Sequence, residues 1–308
     1  MDDGAALRDS DWVVGVELDG EARAYPLKIL FGRGDWEAVS DTLAGHPLLV
    51  TYCPLCESAV VHTRIVGGEV LDLFNSGAIW HADLVLYDAQ TGSQWSQVTG
   101  EAFDGPRHGE RLVVLNGQTV RWGTWKATHP DTDAMAVPHD ADGRALCSCD
   151  RDFSFRETQL VLGVVLDDQA LAFPFPVLNR ELVAHADLAG TPLVAARAGD
   201  GIQVFHAAGR TFEHDGEATL TTTGGGARYD ALTGRALDGG PDLVPVAGMV
   251  SLANRWATFY PDSVFYQGEG LGERRDDDGP EETALPGAAL PAAVVLGLLA
   301  AGLARRND

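Results

Sequence analysis

The chain matches itself, and this internal repeat constrains its fold more than any other feature of the sequence. Val13 to Pro26 corresponds to Val161 to Pro174, with the pattern Val-x-Gly-Val-x-Leu-Asp at the head of each. Leu43-Ala-Gly45, Pro47 and Leu48 recur as Leu188-Ala-Gly190, Pro192 and Leu193. Tyr87-Asp-Ala-Gln-Thr-Gly92 recurs as Tyr229-Asp-Ala-Leu-Thr-Gly234, and Trp125-Lys-Ala-Thr-His-Pro-Asp131 as Trp256-Ala-Thr-Phe-Tyr-Pro-Asp262. Matches in one order, with slowly drifting offsets, predict two homologous lobes. The expected organisation is lobe one at 1–135, a connector at 136–159, lobe two at 160–266, an acidic linker at 267–284 and a C-terminal segment at 285–308.

Each lobe reads as strands. Val14, Val16 and Leu18 alternate with Gly15 and Glu17, and Asp19-Gly20 is a two-residue hairpin signal. Leu48 to Tyr52, Ala59 to Val66, Leu84 to Tyr87 and Arg111 to Leu115 are further short strand patterns. Helical pattern is confined to a turn or two within Ile29 to Leu43 and a short helix in Val120 to His129. The predicted class is mainly β: two sandwich- or barrel-like lobes with approximate two-fold symmetry, few short helices and a C-terminal hydrophobic helix. Strands do not alternate with helices, which argues against a Rossmann or thioredoxin sheet.

Duplication supplies a control for function, because a feature present in one lobe only is not needed for the lobe to fold. Cys53-Pro-Leu-Cys56 is such a feature; the corresponding stretch near Arg197-Ala-Gly-Asp-Gly201 has no cysteine. Two thiols three residues apart can ligate one metal, close a small disulfide or relay thiol exchange. Pro54 stiffens the connection, and the flanking β patterns place it in a strand-to-strand loop. His62 and His81 are the imidazoles near enough in sequence to join the thiolates on zinc or copper. Cys147-Ser-Cys149 lies in the connector and with the first pair would make two interlobe disulfides or a four-thiolate zinc site. Asp83, Tyr87 and Asp88 read as structural because Tyr-Asp recurs in the second repeat. His129, opposite Tyr260, reads as a packing position, as do Trp95, Trp122 and Trp125. Phosphate-loop, nucleophile-elbow and His-Glu-x-x-His patterns are absent from the sequence.

The charge balance, 22 Lys and Arg against 45 Asp and Glu for a net −23, argues against nucleic-acid binding and suits concentrated salt. Leu285 to Ala304 is uncharged and would span about 30 Å as a helix, whereas the part from Pro291 onward would span about 20 Å. The segment is expected to anchor the protein in a membrane or to act as a sorting signal, as its Pro286-Gly287, apolar run and Arg305-Arg306 resemble the C-terminal signals of archaeal surface proteins. Arg305-Arg306 predicts a cytoplasmic C-terminus and an extracytoplasmic main domain. Met1 to Arg8 carries no export signal, so this orientation expects a leader upstream.

Tyr52-Cys-Pro-Leu-Cys-Glu-Ser-Ala59, Gly15 to Pro26, Ser76-Gly77, Asp83 to Asp88, Ser93 to Gln97 and Trp125 to Pro130 together resemble the family called domain of unknown function 3179, from about Asp11 to Tyr266. The resemblance implies a duplicated fold and an exported or membrane-attached protein; it implies no activity. Trp36 stands where the family commonly has a histidine within Asn-Trp-His-Glu, and Cys147-Ser-Cys149 is not a family feature. The leading expectation is a membrane-attached extracytoplasmic protein that binds copper or zinc through Cys53 and Cys56. The alternatives are thiol–disulfide exchange at the same pair and a non-catalytic surface or ligand-binding protein with structural cysteines.

Overall fold

The computed structural model describes residues 1–31, 37–137, 154–268 and 271–272. The Asp19-Gly20 turn folds β1 (Trp12–Leu18) onto β2 (Glu21–Pro26), with pairs running from Val13↔Pro26 to Leu18↔Glu21. Pro26 ends the strand and leads into α1 (Leu27–Leu30), a single buried turn. A meander follows: β3 (Ala38–Leu43), β4 (His46–Cys53) and β5 (Ser58–Thr63). Gly67-Gly68 closes the ribbon of β6 (Ile65–Val66) and β7 (Glu69–Val70). Next come β8 (Leu73–Trp80), β9 (Asp83–Asp88), β10 (Gln94–Ser96) and β11 (Ala102–Asp104). β12 (Gln118–Arg121), α2 (Trp122–Thr128) and β13 (Asp133–Ala134) complete the first half.

The opening order then recurs as the hairpin β14 (Leu160–Leu166) and β15 (Gln169–Pro174), α3 (Phe175–Glu181), and the meander β16 (Val183–Leu188), β17 (Thr191–Ala198) and β18 (Gly201–His206). β19 (Phe212–His214), β20 (Thr219–Thr222) and β21 (Arg228–Asp230) make a small sheet. The described chain ends with β22 (Pro245–Val246), β23 (Gly248–Leu252), α4 (Ala253–Phe259), β24 (Val264–Tyr266) and β25 (Leu271–Gly272). The protein is mainly β with few short helices, as its strand patterns predict. Arg111 to Leu115 differs from its predicted strand. Its ends bridge different neighbours, Arg111 to Glu101 and Val114 to His62, so no continuous ladder forms.

Sheet topology mixes the halves. One eight-stranded sheet runs β25-β24-β15-β14-β23-β5-β4-β3, joining strands from both halves where Val250 of β23 pairs with Ala59 of β5. The cores are mixed too. Val13, Val120 and Trp125 pack with Val194, Ala196 and Phe205, while Val60 and Val98 pack with Val161, Met249 and Trp256. Residues Met1–Arg274 accordingly form one compact unit.

Two glycines show how tightly the recurring hairpins meet the recurring helices. A Cβ on Gly15 would lie 2.3 Å from the Trp125 ring, and one on Gly163 would lie 2.2 Å from the Trp256 ring. Each indole lies flat on bare backbone, which explains why this position of the strand pattern has no side chain. Among the described residues no helix is long and apolar enough to cross a membrane. The segment 285–308, Trp36, and Cys147 and Cys149 all lie outside the described residues. Gly163→Ala is expected to lower stability by about 1–3 kcal/mol through overpacking, read from the urea midpoint. Gly190→Ala, with nothing within 4 Å of its Cβ, is the comparison for backbone strain alone because Gly190 has a positive φ of 75°.

Candidate functional site

The Cys-Pro-Leu-Cys loop connects β4 to β5 within the meander. Cys53 is the last residue of β4 and pairs with Ser58, so Pro54 to Glu57 form the tip of a hairpin. Leu55 is exposed at that tip, while Cys53 and Cys56 turn inward, 2% and 0% accessible. Glu57 takes a left-handed backbone with φ 47° and accepts hydrogen bonds from the backbone and side chain of Arg156. The carbonyl of Cys56 accepts the backbone N–H of Leu252 at 2.9 Å. Leu252 of β23 thus holds the Cys56 carbonyl, and Arg156, which follows the first half, holds the Glu57 carboxylate.

A second hairpin delivers the third member of the site. β8 turns into β9 through His81-Ala82, both left-handed at φ 52° and 61°. A two-residue turn of this hand favours Asn and Gly, so two residues with ordinary side chains store strain here. The turn aims the Ala82 carbonyl and the Asp83 side chain at Cys56, whose Sγ lies 3.0 Å from Ala82 O and 3.3 Å from Asp83 Oδ1. The two sulfurs are 3.4 Å apart. One ligand atom from each of Cys53, Cys56 and Asp83 lies within 4.8 Å of the others, and all three residues are buried.

A buried polar strap supports this group. Ser58 Oγ donates to Gln97 Oε1 at 2.8 Å, and Gln97 Nε2 donates to Thr51 Oγ1 at 3.0 Å. The adjoining Val98 N–H donates to Asp83 Oδ2 at 3.1 Å. Removal from water is the main cause that raises the Asp83 carboxyl to about 6, against the hydrogen bonds it accepts. The hydrogen bond between the sulfurs holds Cys53 below the ordinary thiol range. That same bond, burial and the Asp83 charge push Cys56 far up. The site can therefore carry a thiolate on Cys53 and a carboxylate on Asp83, both in a dry environment where a cation would compensate them.

The sequence-predicted residues separate into two groups. Cys53 and Cys56 are together, and Asp83 joins them. His81 is outside that group: its exposed ring lies against Trp80, with centroids 4.5 Å apart, and 6.1 Å from the Phe259 ring. His62 is fully buried farther along β5, and neither of its ring nitrogens has a hydrogen-bond partner. Cys147 and Cys149 lie outside the described residues. The recurring Tyr-Asp pair covers Tyr87 and Asp88 but not Asp83. At the place of Asp83 the second repeat has Gly225, so the asymmetry that marks the cysteines marks Asp83 as well. Asp88 does fit the structural reading. It binds Thr91 and the Trp95 indole, as Asp230 binds Thr233.

The family model described as protein of unknown function (DUF3179) matches residues 1–263. The chain belongs to the DUF3179 family. No curated protein and no solved structure matches it. For this DUF3179 member, the fold and the cysteine–carboxylate group are the grounds for any functional reading.

His62 gives a pH-dependent prediction separate from the cysteines. Burial lowers its pKa from 6.5 to about 4. The unfolded chain therefore takes up this proton first, and stability falls as pH drops from 6.5 to 4, by up to about 3 kcal/mol. Asp83, raised from 3.8 to about 6, works in the opposite direction between those values. His62→Leu is expected to remove only the first contribution, so the difference between wild-type and variant urea stabilities should change by about 3 kcal/mol over that window. Parallel stability curves would contradict the assignment.

Proposed function

We propose that this DUF3179 protein binds a transition metal, zinc or copper, through Cys53, Cys56 and Asp83. The observation that carries the reading is the convergence of two thiols and a carboxylate within 4.8 Å inside the protein. Zinc accepts such a mixed set. Tetrahedral Zn–S bonds of about 2.3 Å place two sulfurs about 3.8 Å apart, a small opening from the 3.4 Å separation here. Three protein ligands would leave a fourth position for the Ala82 carbonyl or an exogenous group. Copper(I) prefers the soft sulfurs and would leave the carboxylate aside.

The setting proposed for this centre is a duplicated, two-lobed extracytoplasmic protein adapted to salt and attached to a membrane by residues 285–308. The recurring order of strands and helices supports the duplication, and the apolar sequence before Arg305-Arg306 supports the attachment.

Thiol–disulfide exchange is a second reading, favoured by one observation: the 3.4 Å sulfur separation in a pair whose first thiol is held acidic. In that reaction the dithiol would pass two electrons and two protons to a partner disulfide. Burial of both sulfurs weighs against it, since the attacking thiolate must reach its partner.

Protein purified in reducing buffer is expected to carry about one equivalent of zinc or copper by mass spectrometry, lost in Cys53→Ser/Cys56→Ser. Equal metal in both proteins would end the metal reading. Asp83→Asn is expected to weaken zinc retention while sparing copper(I), which identifies the ion from the chain's own side. For the exchange reading, reduced metal-free protein should be alkylated at Cys53 at about pH 6; an inert thiol under those conditions counts against it. A permanent disulfide and no metal in either redox state would instead leave the cysteines a structural role.

A further inference from the structure

We propose that the cleft between β14, α4 and the segment 111–114 binds an uncharged, largely apolar small molecule. The cleft is about 720 Å³, within the range of small-molecule sites. Its walls include Leu112, Val114, Val165, Met249 and Phe259, and Tyr260 brings a hydroxyl to the same lining. Burial is the main cause that raises that phenol to about 12, so it remains a neutral donor. Arg111 at the mouth is bound by Glu101 at 3.1 Å and Asp168 at 3.3 Å. Two carboxylates against one guanidinium leave the mouth net negative, which disfavours an anionic ligand.

The duplicated chain supplies the comparison that sets this lining apart from ordinary packing. A corresponding cleft of about 350 Å³ lies over β1 and α2, with residues 242–245 on its far side. Strand register fixes the correspondence, because Gly15 pairs with Gln118 and Gly163 with Met249. Glu17, Asn116, Gln118 and His129 line the first cleft; Val165, Ala247, Met249 and Tyr260 take their places in the second. In the first cleft His129 Nε2 meets Glu17 Oε2 at 2.9 Å, and Glu17 Oε1 accepts from Arg235 at 2.9 Å, so polar side chains bind one another across the space. The same backbone plan tolerates charged residues at these positions. At these four positions of the second cleft every residue but Tyr260 is apolar, and the space is twice as large, an arrangement that leaves apolar surface for a ligand to cover.

The test uses the full chain and the uncharged fluorophore N-phenyl-1-naphthylamine. Wild-type protein is expected to bind one probe per chain saturably. Val165→Glu/Ala247→Asn copies the residues of the polar cleft onto half-buried positions and should weaken binding at least about tenfold, as a carboxylate in the apolar wall resists desolvation. Ala247→Trp fills the space without charge and should give the same loss. Probe bound by the C-terminal segment would be common to all three proteins and leave the difference intact. Circular dichroism establishes that each variant is folded. Absence of saturable binding in the wild type, or unchanged binding in either folded variant, overturns the proposal; Cys53→Ser/Cys56→Ser should bind the probe as the wild type does.

Discussion

The pairing of β23 with β5 is the interaction on which the rest of the structure depends. It is a single registered pair, Val250 with Ala59, but it fuses strands from the two halves into one eight-stranded sheet. Two free sheet edges disappear in the process, and the apolar faces on either side close over cores that neither half could complete alone. Immediately beyond that pair, the Leu252 N–H reaches the Cys56 carbonyl. The cysteine loop is thus formed in the first half and held by the second. Its conformation depends on the halves being assembled.

The repetition of elements was legible because strand and helix patterns are local. Alternating Val and Gly, the Asp-Gly turn and the Trp-containing helix each carry their own periodicity, and each appears twice. The exchange of packing partners was not legible in the same way. Repeated sequences state that two units are alike but not which unit covers which apolar face. Val60 and Val161 have equally good reasons to be buried, and only the assembled sheet puts them in one core. The segment Arg111 to Leu115 shows the other limit. It has the residues of a strand, but its two ends bridge different segments, Arg111 to Glu101 just before β11 and Val114 to His62 in β5, so regular pairing never develops.

The cysteine pair was legible through asymmetry between the repeats, but nearness along the chain is a poor guide to its partners. His62 lies only four residues beyond Ser58, but four residues of extended strand cover about 13 Å and carry the ring away from the loop. Asp83 is far more distant in sequence yet arrives at the sulfurs because a tight hairpin precedes it. The strained His81-Ala82 turn was hidden for a related reason: neither residue advertises a left-handed backbone, as Asn-Gly would. Its cost is tolerated because the same turn presents the Ala82 carbonyl and the Asp83 carboxylate to Cys56 from one short piece of chain.

These dependencies imply a coupling between the cysteine group and the stability of the assembled sheet. Any ligand that binds the assembled loop and not the unfolded chain must stabilise the sheet by mass action, in proportion to the logarithm of its excess over its dissociation constant. The connection runs through named contacts: Asp83 to the Val98 N–H, Gln97 to Ser58 and Thr51, Cys56 to Leu252, and Glu57 to Arg156. Arg156 and the end of β23 therefore bear on the cysteine loop without touching the sulfurs, the first through the Glu57 carboxylate and the second through the Cys56 carbonyl. The buried carboxylate acts in the reverse direction. With its charge uncompensated it opposes burial, whereas a cation held by Asp83 and the Cys53 thiolate would convert that opposition into attachment between the two hairpins.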